Sequence, residues 1–431
     1  MPKLVGANLQ LYGVLRFRIG ANDLYYVELE GSDGSLQAPA EARMTGKNIA
    51  FVVTCTSPIT YKVKAYLEQK VSQRHRYVPQ VVWTTQIGAG FDKRHPAYIK
   101  GMPYVQFQRL LRVPERVRCD KPVEKLFPAD LNWWQGSWVR LKKRVRLARS
   151  TCCAWDSPGA ICAVDKKAAG SAYNKKYMWR PYGLPRLHRF YGIDMEEEVK
   201  QAMRDGPHRS ILFVGDSIMR RTADVFLLMT GGMKQFCKEH GSGPQKSRNW
   251  EMRVHDVRVR FNAYTAISIQ TQKGAAELAR NMIENDNSEL PGVFVLNAGL
   301  WDIQARPPRQ VAPYIKELIL ELDKVLGNTR LKVFLLAAPV STKNQLVFTG
   351  AKDGKAYGYR TNSALLEYNK LVESELVGTD WHVIDLYNVL NAVRFAALDY
   401  RHYNCEYNLD VANIIFNVVY SNLTLLRKKG V

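Results

Sequence analysis

A serine at a predicted strand-to-helix boundary is the first residue of this chain whose position suggests chemistry. Residues 211–221 run from a compact apolar strand through Gly215-Asp216-Ser217 into helical spacing. Backbone N–H groups at a helix N-terminus are unpaired and the helix dipole favours negative charge, so a nucleophile there lies beside amides that can hold an oxyanion. We therefore treat Ser217 as a candidate nucleophile, with simple helix capping by Asp216 or Ser217 as the alternative.

An acid and a histidine stand three residues apart just before the last predicted helix. Residues i and i+3 share one face of a helical turn, so Asp399 could orient the imidazole of His402 while the other ring nitrogen faces Ser217. The pair therefore completes a predicted Ser–His–Asp triad. Three other histidines are interpreted as surface or structural residues: His188, His208 and His255.

A third polar group follows another predicted buried strand. Residues 293–296 are continuously apolar and lead into Asn297-Ala298-Gly299. Active sites of open parallel sheets lie at the carboxyl ends of the strands, so the Asn297 amide is expected at the same rim as Ser217. An amide N–H there can complete an oxyanion hole, whereas the structural alternative is an asparagine that closes a turn.

The elements that would position these groups alternate between strands and helices from about residue 209. Strands are predicted at 210–214, 257–261, 265–269, 293–296, 331–338 and 381–386. Helices are predicted at 218–228, 311–326, 363–376 and 410–426. Apolar strands that alternate with helices predict an α/β fold with a parallel sheet and helices on both faces.

The region before this α/β domain differs in pattern. Short strand-like runs at 9–17, 24–29, 49–54 and 61–67 predict an all-β sandwich of immunoglobulin type over residues 1–115. Residues 116–208 are interpreted as an irregular, Trp- and Cys-rich connecting segment packed on the catalytic domain, which itself spans 209–431.

The order and spacing of these motifs resemble the SGNH (GDSL-like) superfamily, and within it the PC-esterase branch of trichome-birefringence-like and NXPE-type proteins. The GDSxxR block is matched by Gly215, Asp216, Ser217 and Arg220, the N-x-G-x-W block by Asn297, Gly299 and Trp301, and the DxxH block by Asp399 and His402. Upstream, Gly136-Ser137-Trp138 and Trp179-Arg180-Pro181 resemble two further family segments. The resemblance covers about residues 130–431.

The resemblance implies a three-layer α/β/α domain and acyl-ester chemistry, in which Ser217 forms an acyl-enzyme. It favours an O-acetyltransferase that acts on a glycan or polysaccharide. A carbohydrate acetylesterase is the alternative, and a non-catalytic glycan-binding protein is the alternative of another class. The family's second block has no clear match. The oxyanion candidates are Ser217, Asn297, Gly274 and Arg220, and the substrate-binding candidates are Trp301 and Arg220.

The charge of the chain bears on its partners. The formal net charge of +22 favours an anionic partner such as an acidic glycan, with general solubility as the alternative. A basic run from Arg140 to Arg149 is either a solvated surface or part of a binding patch. No helix-turn-helix, RRM or zinc-finger pattern indicates nucleic-acid binding. Three tryptophans are interpreted either as core or as sugar-stacking residues: Trp133, Trp134 and Trp138.

Cysteine spacing and hydropathy bear on metal binding, membrane insertion and the cellular compartment of the protein. None of the seven cysteines forms a CxxC pair, so a zinc ribbon or thioredoxin motif is not predicted, and no metal or bound cofactor is expected. Acetyl-CoA is a candidate co-substrate. No apolar run is long enough for a transmembrane helix, and no signal peptide is recognised. The resemblance implies the Golgi lumen or secretion, where at least one disulfide is expected among Cys119, Cys152, Cys153 and Cys162, with buried reduced thiols as the alternative.

Overall fold

The structure is a computed structural model. It describes residues 3–5, 8–14, 24–38, 42–45, 48–54, 60–70, 81–82, 116–118, 136–146, 174–181, 187–240, 249–264, 274–283, 289–328, 330–340, 362–394, 397, 401–403 and 405–428. The catalytic candidate Asp399 lies outside these residues, and so do Trp133, Trp134, Cys119, Cys152, Cys153 and Cys162. The expectations about these side chains therefore stay predictions.

The amino-terminal strands form one network of antiparallel pairs. They are β1 (Lys3–Val5), β2 (Asn8–Val14), β3 (Leu24–Gly31), β4 (Leu36–Gln37), β5 (Ala42–Thr45), β6 (Asn48–Thr54), β7 (Thr60–Lys70), β8 (Val81–Val82), β9 (Arg116–Arg118), β10 (Gly136–Arg146) and β11 (Asn174–Pro181). The main path is β1-β2-β6-β5-β3-β4-β10-β11, and β7 pairs with β3, β8 and β9. The four strands predicted from the sequence correspond to β2, β3, β6 and β7. The immunoglobulin-type sandwich stays a prediction.

Residues 116–208 contain regular structure where an irregular segment was expected. Strands β10 and β11 pair with Trp138 opposite Trp179, and both indoles are buried in the hydrophobic core. The Trp138 ring packs 5.1 Å from that of Tyr407, and its Nε1 donates to the Val389 carbonyl at 2.8 Å. The interpretation of Trp138 as a sugar-stacking residue is therefore wrong, because its ring fills the interior.

The carboxyl-terminal part of the chain is a mixed α/β domain around a six-stranded sheet. Its strands are β12 (Ser210–Gly215), β13 (Trp250–Val254), β14 (Val257–Ala263), β15 (Val293–Asn297), β16 (Leu331–Leu335) and β17 (Trp381–Ile384). The order is β13-β14-β12-β15-β16-β17, in which only β13 is antiparallel to its neighbour. The prediction of a largely parallel sheet is thus confirmed. The strand predicted at 265–269 lies outside the described residues.

Helices flank this sheet. They are α1 (Glu196–Asp205), α2 (Ser217–Met229), α3 (Met233–His240), α4 (Ala275–Ile283), α5 (Asp302–Ala305), α6 (Pro308–Leu326), α7 (Asn362–Leu376), α8 (Leu386–Asn391) and α9 (Cys405–Lys428). Helix α2 packs on α9, and α6 packs on both α4 and α7. Every residue of β15 is buried, as expected for a strand covered on both faces. No helix among the residues described is long and apolar enough to cross a membrane.

The strand order defines where a site is expected. From β12 the chain goes to one side of the sheet at β14 and then returns to the other side at β15. In open α/β sheets, ligands bind outside the carboxyl ends of the strands where the strand order reverses in this way. Ser217 follows β12 and Asn297 ends β15, so both flank the reversal point.

Candidate active site

The turn between β12 and α2 requires a glycine and a capping acid. A Cβ on Gly215 would lie 2.8 Å from both the Asn297 carbonyl oxygen and the Met219 Cβ, so no side chain fits there. Asp216 is the N-cap of α2, and its carboxylate accepts the backbone N–H of Ile218 at 2.7 Å. The helix is therefore capped by Asp216, and the Ser217 hydroxyl is not needed for that purpose.

The Ser217 hydroxyl instead contacts an imidazole from a distant part of the chain. His402 Nε2 lies 2.7 Å from Ser217 Oγ, although the two residues are 185 positions apart. The His402 residue is 8% exposed, so the contact is largely screened from water. A histidine nitrogen at this distance can accept the hydroxyl proton and so increase the nucleophilicity of the oxygen.

The segment that carries His402 is held by hydrogen bonds from three directions. The carbonyl of the next residue, Tyr403, accepts from Arg221 Nη1 at 3.3 Å and from Asn408 Nδ2 at 2.9 Å. The Tyr403 hydroxyl donates to the Pro339 carbonyl at 2.9 Å. These contacts connect the histidine segment to α2, to α9 and to the chain after β16.

The candidate oxyanion donor Asn297 lies at the end of the strand next to β12. Its preceding residue, Leu296, pairs with Val214, which places Asn297 beside the turn at Gly215. The Asn297 side chain is buried and donates from Nδ2 to the Leu335 carbonyl at 2.9 Å. An amide nitrogen carries two hydrogens, so this bond anchors the side chain and uses one of them.

The loop after β15 is tightly built. Gly299 has φ +113°, and a Cβ there would overlap the ring of Tyr368. Its backbone N–H donates to the buried carboxylate of Asp302 at 3.1 Å. The glycine of the N-x-G-x-W block is thus required by backbone conformation and by close packing.

The same loop reaches the histidine segment through a cation–π contact that was not predicted from the sequence. The Arg401 guanidinium lies 4.8 Å from the ring centroid of Trp301. Arg401 directly precedes His402, and both partners of the contact are half-buried. The sequence shows only a basic residue within the DxxH block. A cation–π contact cannot be predicted from it, because Trp301 is distant in the chain.

Two further oxyanion candidates are Gly274 and Arg220. Gly274 precedes α4 with φ +77° and is exposed, and its carbonyl accepts the Leu278 N–H. Arg220 is half-buried one turn after Ser217, and its backbone N–H donates to the Asp216 carbonyl. Their roles at an oxyanion stay predictions, as does the role of Asp399.

Two of the three histidines interpreted as surface or structural residues have hydrogen-bonding partners. His188 Nε2 pairs with Glu198 at 2.8 Å, and His255 Nε2 contacts the Thr230 carbonyl at 2.8 Å. Burial lowers the pKa of His208, and the Arg330 charge lowers it further. Within the described part of the chain, no group of three or more His, Cys, Asp or Glu side chains is arranged to hold a metal ion.

A buried acid on α2 was also not identified from the sequence. Asp224 lies two turns after Ser217, is 1% exposed, and neither of its carboxyl oxygens has a hydrogen-bond partner. Burial raises its pKa to about 7, against the opposing charges of Arg220 and Arg221. A carboxyl that holds its proton in this way avoids most of the cost of a buried charge.

Asp224→Asn is expected to change the pH dependence of the free energy of unfolding. The folded protein keeps the Asp224 proton up to about pH 7, whereas the ordinary pKa is 3.8, so the unfolded chain releases it earlier. Folded-state stability therefore falls as pH rises between these values. The penalty above pH 7 is on the order of 4 kcal/mol, and the asparagine variant lacks it. Denaturant unfolding at pH 4.5 and 8 measures this difference, and parallel pH curves for the two proteins would contradict it.

Comparisons with known proteins find only distant similarity. No family model matches the chain. No curated protein matches it either. Among solved structures, a member of the lipolytic protein G-D-S-L family from Veillonella parvula DSM 2008 is 15% identical, covers 48% of this chain and 96% of its own, and has a TM-score of 0.28.

Two solved esterases are similar to a comparable extent. A carbohydrate acetylesterase from Sinorhizobium meliloti is 12% identical over 51% of this chain and 99% of its own, with a TM-score of 0.33. A carbohydrate esterase family 3 protein from Talaromyces cellulolyticus is 12% identical over 52% of this chain and 99% of its own, with a TM-score of 0.32. Similarity at these TM-scores does not support a functional assignment. The candidate site is therefore assigned from the geometry described above.

Proposed function

We propose that this chain is an SGNH-type enzyme of the PC-esterase kind that transfers an acetyl group to a glycan through Ser217, His402 and Asp399. The observation that carries the proposal is the 2.7 Å contact between His402 Nε2 and Ser217 Oγ at the carboxyl end of β12. A nucleophile paired with a base beside a helix N-terminus is an arrangement that supports acyl-ester chemistry.

In the first half-reaction, Ser217 Oγ attacks the carbonyl carbon of an acetyl ester or thioester while His402 takes the hydroxyl proton. The developing oxyanion would accept hydrogen bonds from backbone amides at the start of α2 and from the Asn297 amide, with Gly274 and Arg220 as further candidates. When the intermediate collapses, the bond to the leaving group breaks and His402 returns the proton to it. The product is an acetyl-Ser217 ester.

The second half-reaction decides between transferase and esterase. An acceptor hydroxyl gives its proton to His402 and attacks the acetyl-Ser217 carbonyl, and His402 then returns the proton to Ser217 Oγ as the ester bond to the serine breaks. A sugar hydroxyl as acceptor yields an O-acetylated glycan, and water yields acetate. The triad chemistry serves both acceptors equally. We favour the sugar hydroxyl from the family resemblance, with acetyl-CoA as a candidate donor and the secretory pathway as the proposed location.

Mass spectrometry can separate these outcomes. The purified chain is incubated with acetyl-CoA or an acetylated glycan as donor and with neutral and acidic oligosaccharides as acceptors. A 42 Da increase on the Ser217 peptide is about the mass that one acetyl group adds, and it would report the acyl-enzyme. Acetylated oligosaccharide indicates a transferase, and free acetate without it indicates an esterase. Glycan binding with neither product would support the non-catalytic alternative.

An acidic acceptor makes a prediction about salt. Arg140 and Lys142 are exposed on β10, within the basic run identified in the sequence. Binding of an acidic glycan to such a surface should weaken as the Debye length falls from about 10 Å at 0.1 M salt to about 3 Å at 1 M. The double variant Arg140→Gln/Lys142→Gln is expected to flatten this dependence, measured by titration calorimetry.

The matched control replaces two exposed basic residues on α6 that are paired with acids. Arg309 contacts Glu367 and Lys324 contacts Glu321, so Arg309→Gln/Lys324→Gln changes the net charge by the same amount at a different surface. If both double variants alter the salt dependence equally, total charge rather than the β10 surface attracts the glycan.

A further inference from the structure

Helix α2 carries more than the nucleophile. Ser217 is its first residue, and Arg221 follows at i+4 on the same face of the helix. Arg221 is 3% exposed, which is unusual for an arginine because a buried guanidinium must be compensated by polar partners. A specific hydrogen-bonding role is therefore expected for Arg221, which is buried next to the Ser217 turn.

The acceptor of the Arg221 hydrogen bond lies beside the catalytic base. Arg221 Nη1 donates to the Tyr403 carbonyl at 3.3 Å, and Tyr403 is the residue after His402. One helix thus presents the serine at its first position and, one turn later, contacts the backbone that carries the histidine. The Arg221–Tyr403 hydrogen bond and the Ser217–His402 contact therefore join the same two segments of the chain.

We propose that Arg221 is a positioning residue that holds the His402 segment against α2 and so sets the imidazole at hydrogen-bonding distance from Ser217. This proposal rests on the proposed function, since it assigns a role within the same site. We assign Arg221 no contact with the reacting atoms. It acts through the Tyr403 backbone.

Two further contacts of Tyr403 explain why this role can be separated from folding. Asn408 donates to the same carbonyl at 2.9 Å, and the Tyr403 hydroxyl bonds to the Pro339 carbonyl at 2.9 Å. These two contacts tie the segment to α9 and to the chain after β16. Without Arg221 we expect the segment to keep its place in the fold but to lose the hydrogen bond that joins the Tyr403 backbone to the helix that bears Ser217.

Arg221→Met is expected to lower kcat about 100-fold, the loss associated with a displacement of about 1 Å at a reacting group. KM should change little, because no substrate contact is assigned to Arg221. Arg221→Lys should recover part of kcat, since the ammonium keeps the charge and can donate to a carbonyl but lacks the planar shape and reach of the guanidinium. Steady-state kinetics on whichever acyl substrate the wild-type chain turns over measures both parameters.

The matched control is a buried arginine that also holds a backbone carbonyl but lies elsewhere. Arg260 is 4% exposed and its Nη2 donates to the Glu289 carbonyl at 3.2 Å, before the amino end of β15. Arg260→Met also removes a buried guanidinium that binds a backbone carbonyl. That carbonyl lies near the amino end of β15, whereas Asn297 and the candidate site lie at its carboxyl end. It should keep kcat near the wild-type value, even if the free energy of unfolding falls as in Arg221→Met.

A second readout does not depend on turnover. In protein labelled with ¹³C in the histidine rings, the His402 resonance is assigned by its loss in His402→Ala. It should shift or broaden in Arg221→Met and stay unchanged in Arg260→Met. If the wild type turns over no acyl substrate, the proposed function fails, while this spectrum still tests the positioning role. If Arg221→Met does not fold, Arg221→Gln replaces it. A wild-type kcat together with a wild-type His402 resonance in either folded variant would overturn the proposal.

Discussion

Ser217→Ala is expected to lower kcat/KM by about 10⁴-fold or more on any acyl substrate of the wild-type chain. The variant removes the proposed nucleophile, the Oγ that lies 2.7 Å from His402 Nε2. The fold should persist, because the helix cap is supplied by Asp216 through its bond to the Ile218 N–H. Thermal unfolding should therefore stay near the wild-type midpoint while turnover is lost.

A serine with a purely local role provides the control for this variant. Ser374 is exposed on α7 and its hydroxyl donates to the Leu371 carbonyl of the same helix at 2.7 Å. Ser374→Ala is expected to retain wild-type kcat and KM. Near-normal activity in purified Ser217→Ala, together with an unmodified Ser217 peptide in the wild type, would remove Ser217 from the mechanism.

His402→Ala is expected to reduce kcat to a similar degree, because the hydroxyl of Ser217 then has no base to accept its proton. The double variant Ser217→Ala/His402→Ala should be no less active than either single variant, since residues that act as a unit are not additive. His188→Ala removes an imidazole that is paired with Glu198 at the surface and serves as the control. Steady-state kinetics on one substrate at one pH compares these four variants with the wild type.

Asp399→Asn tests the acid that the DxxH spacing predicts. The loss should be smaller than in His402→Ala, because the acid only orients and stabilises the imidazole. A full set of losses for Ser217, His402 and Asp399 would establish the triad. If a double variant is instead far less active than both single variants, the two residues act independently.

Much of the architecture around the site could be predicted from local pattern. The strand–turn–helix at Ser217 follows from an apolar run, a glycine and a capping acid, all within seven neighbouring positions in the chain. Strands β12 and β15 and helix α6 were predicted nearly at their observed bounds for the same reason. Continuous burial produces a continuous apolar run, whatever the order of strands in the sheet.

Other elements were missed because their pattern is mixed. Strand β10 has Trp138 in the core but exposes Arg140 and Lys142 further along the strand, so its apolar pattern is short and interrupted by charge. The edge strand β13 alternates regularly between buried and exposed residues but has only five positions. Short or charged strands take their structure from pairing partners, and those partners are distant in sequence.

By itself the sequence determined the type of each reactive group and its place relative to a strand or helix end: Ser217 at a helix N-terminus, Asn297 at a strand end and His402 before the last helix. Only the tertiary structure decided that His402 meets Ser217 across 185 residues, and that Arg221 contacts the backbone beside it. The physical reason is that capping and periodicity are local. The distance between two segments is set by strand order and by the packing of α2 on α9, which no local pattern encodes.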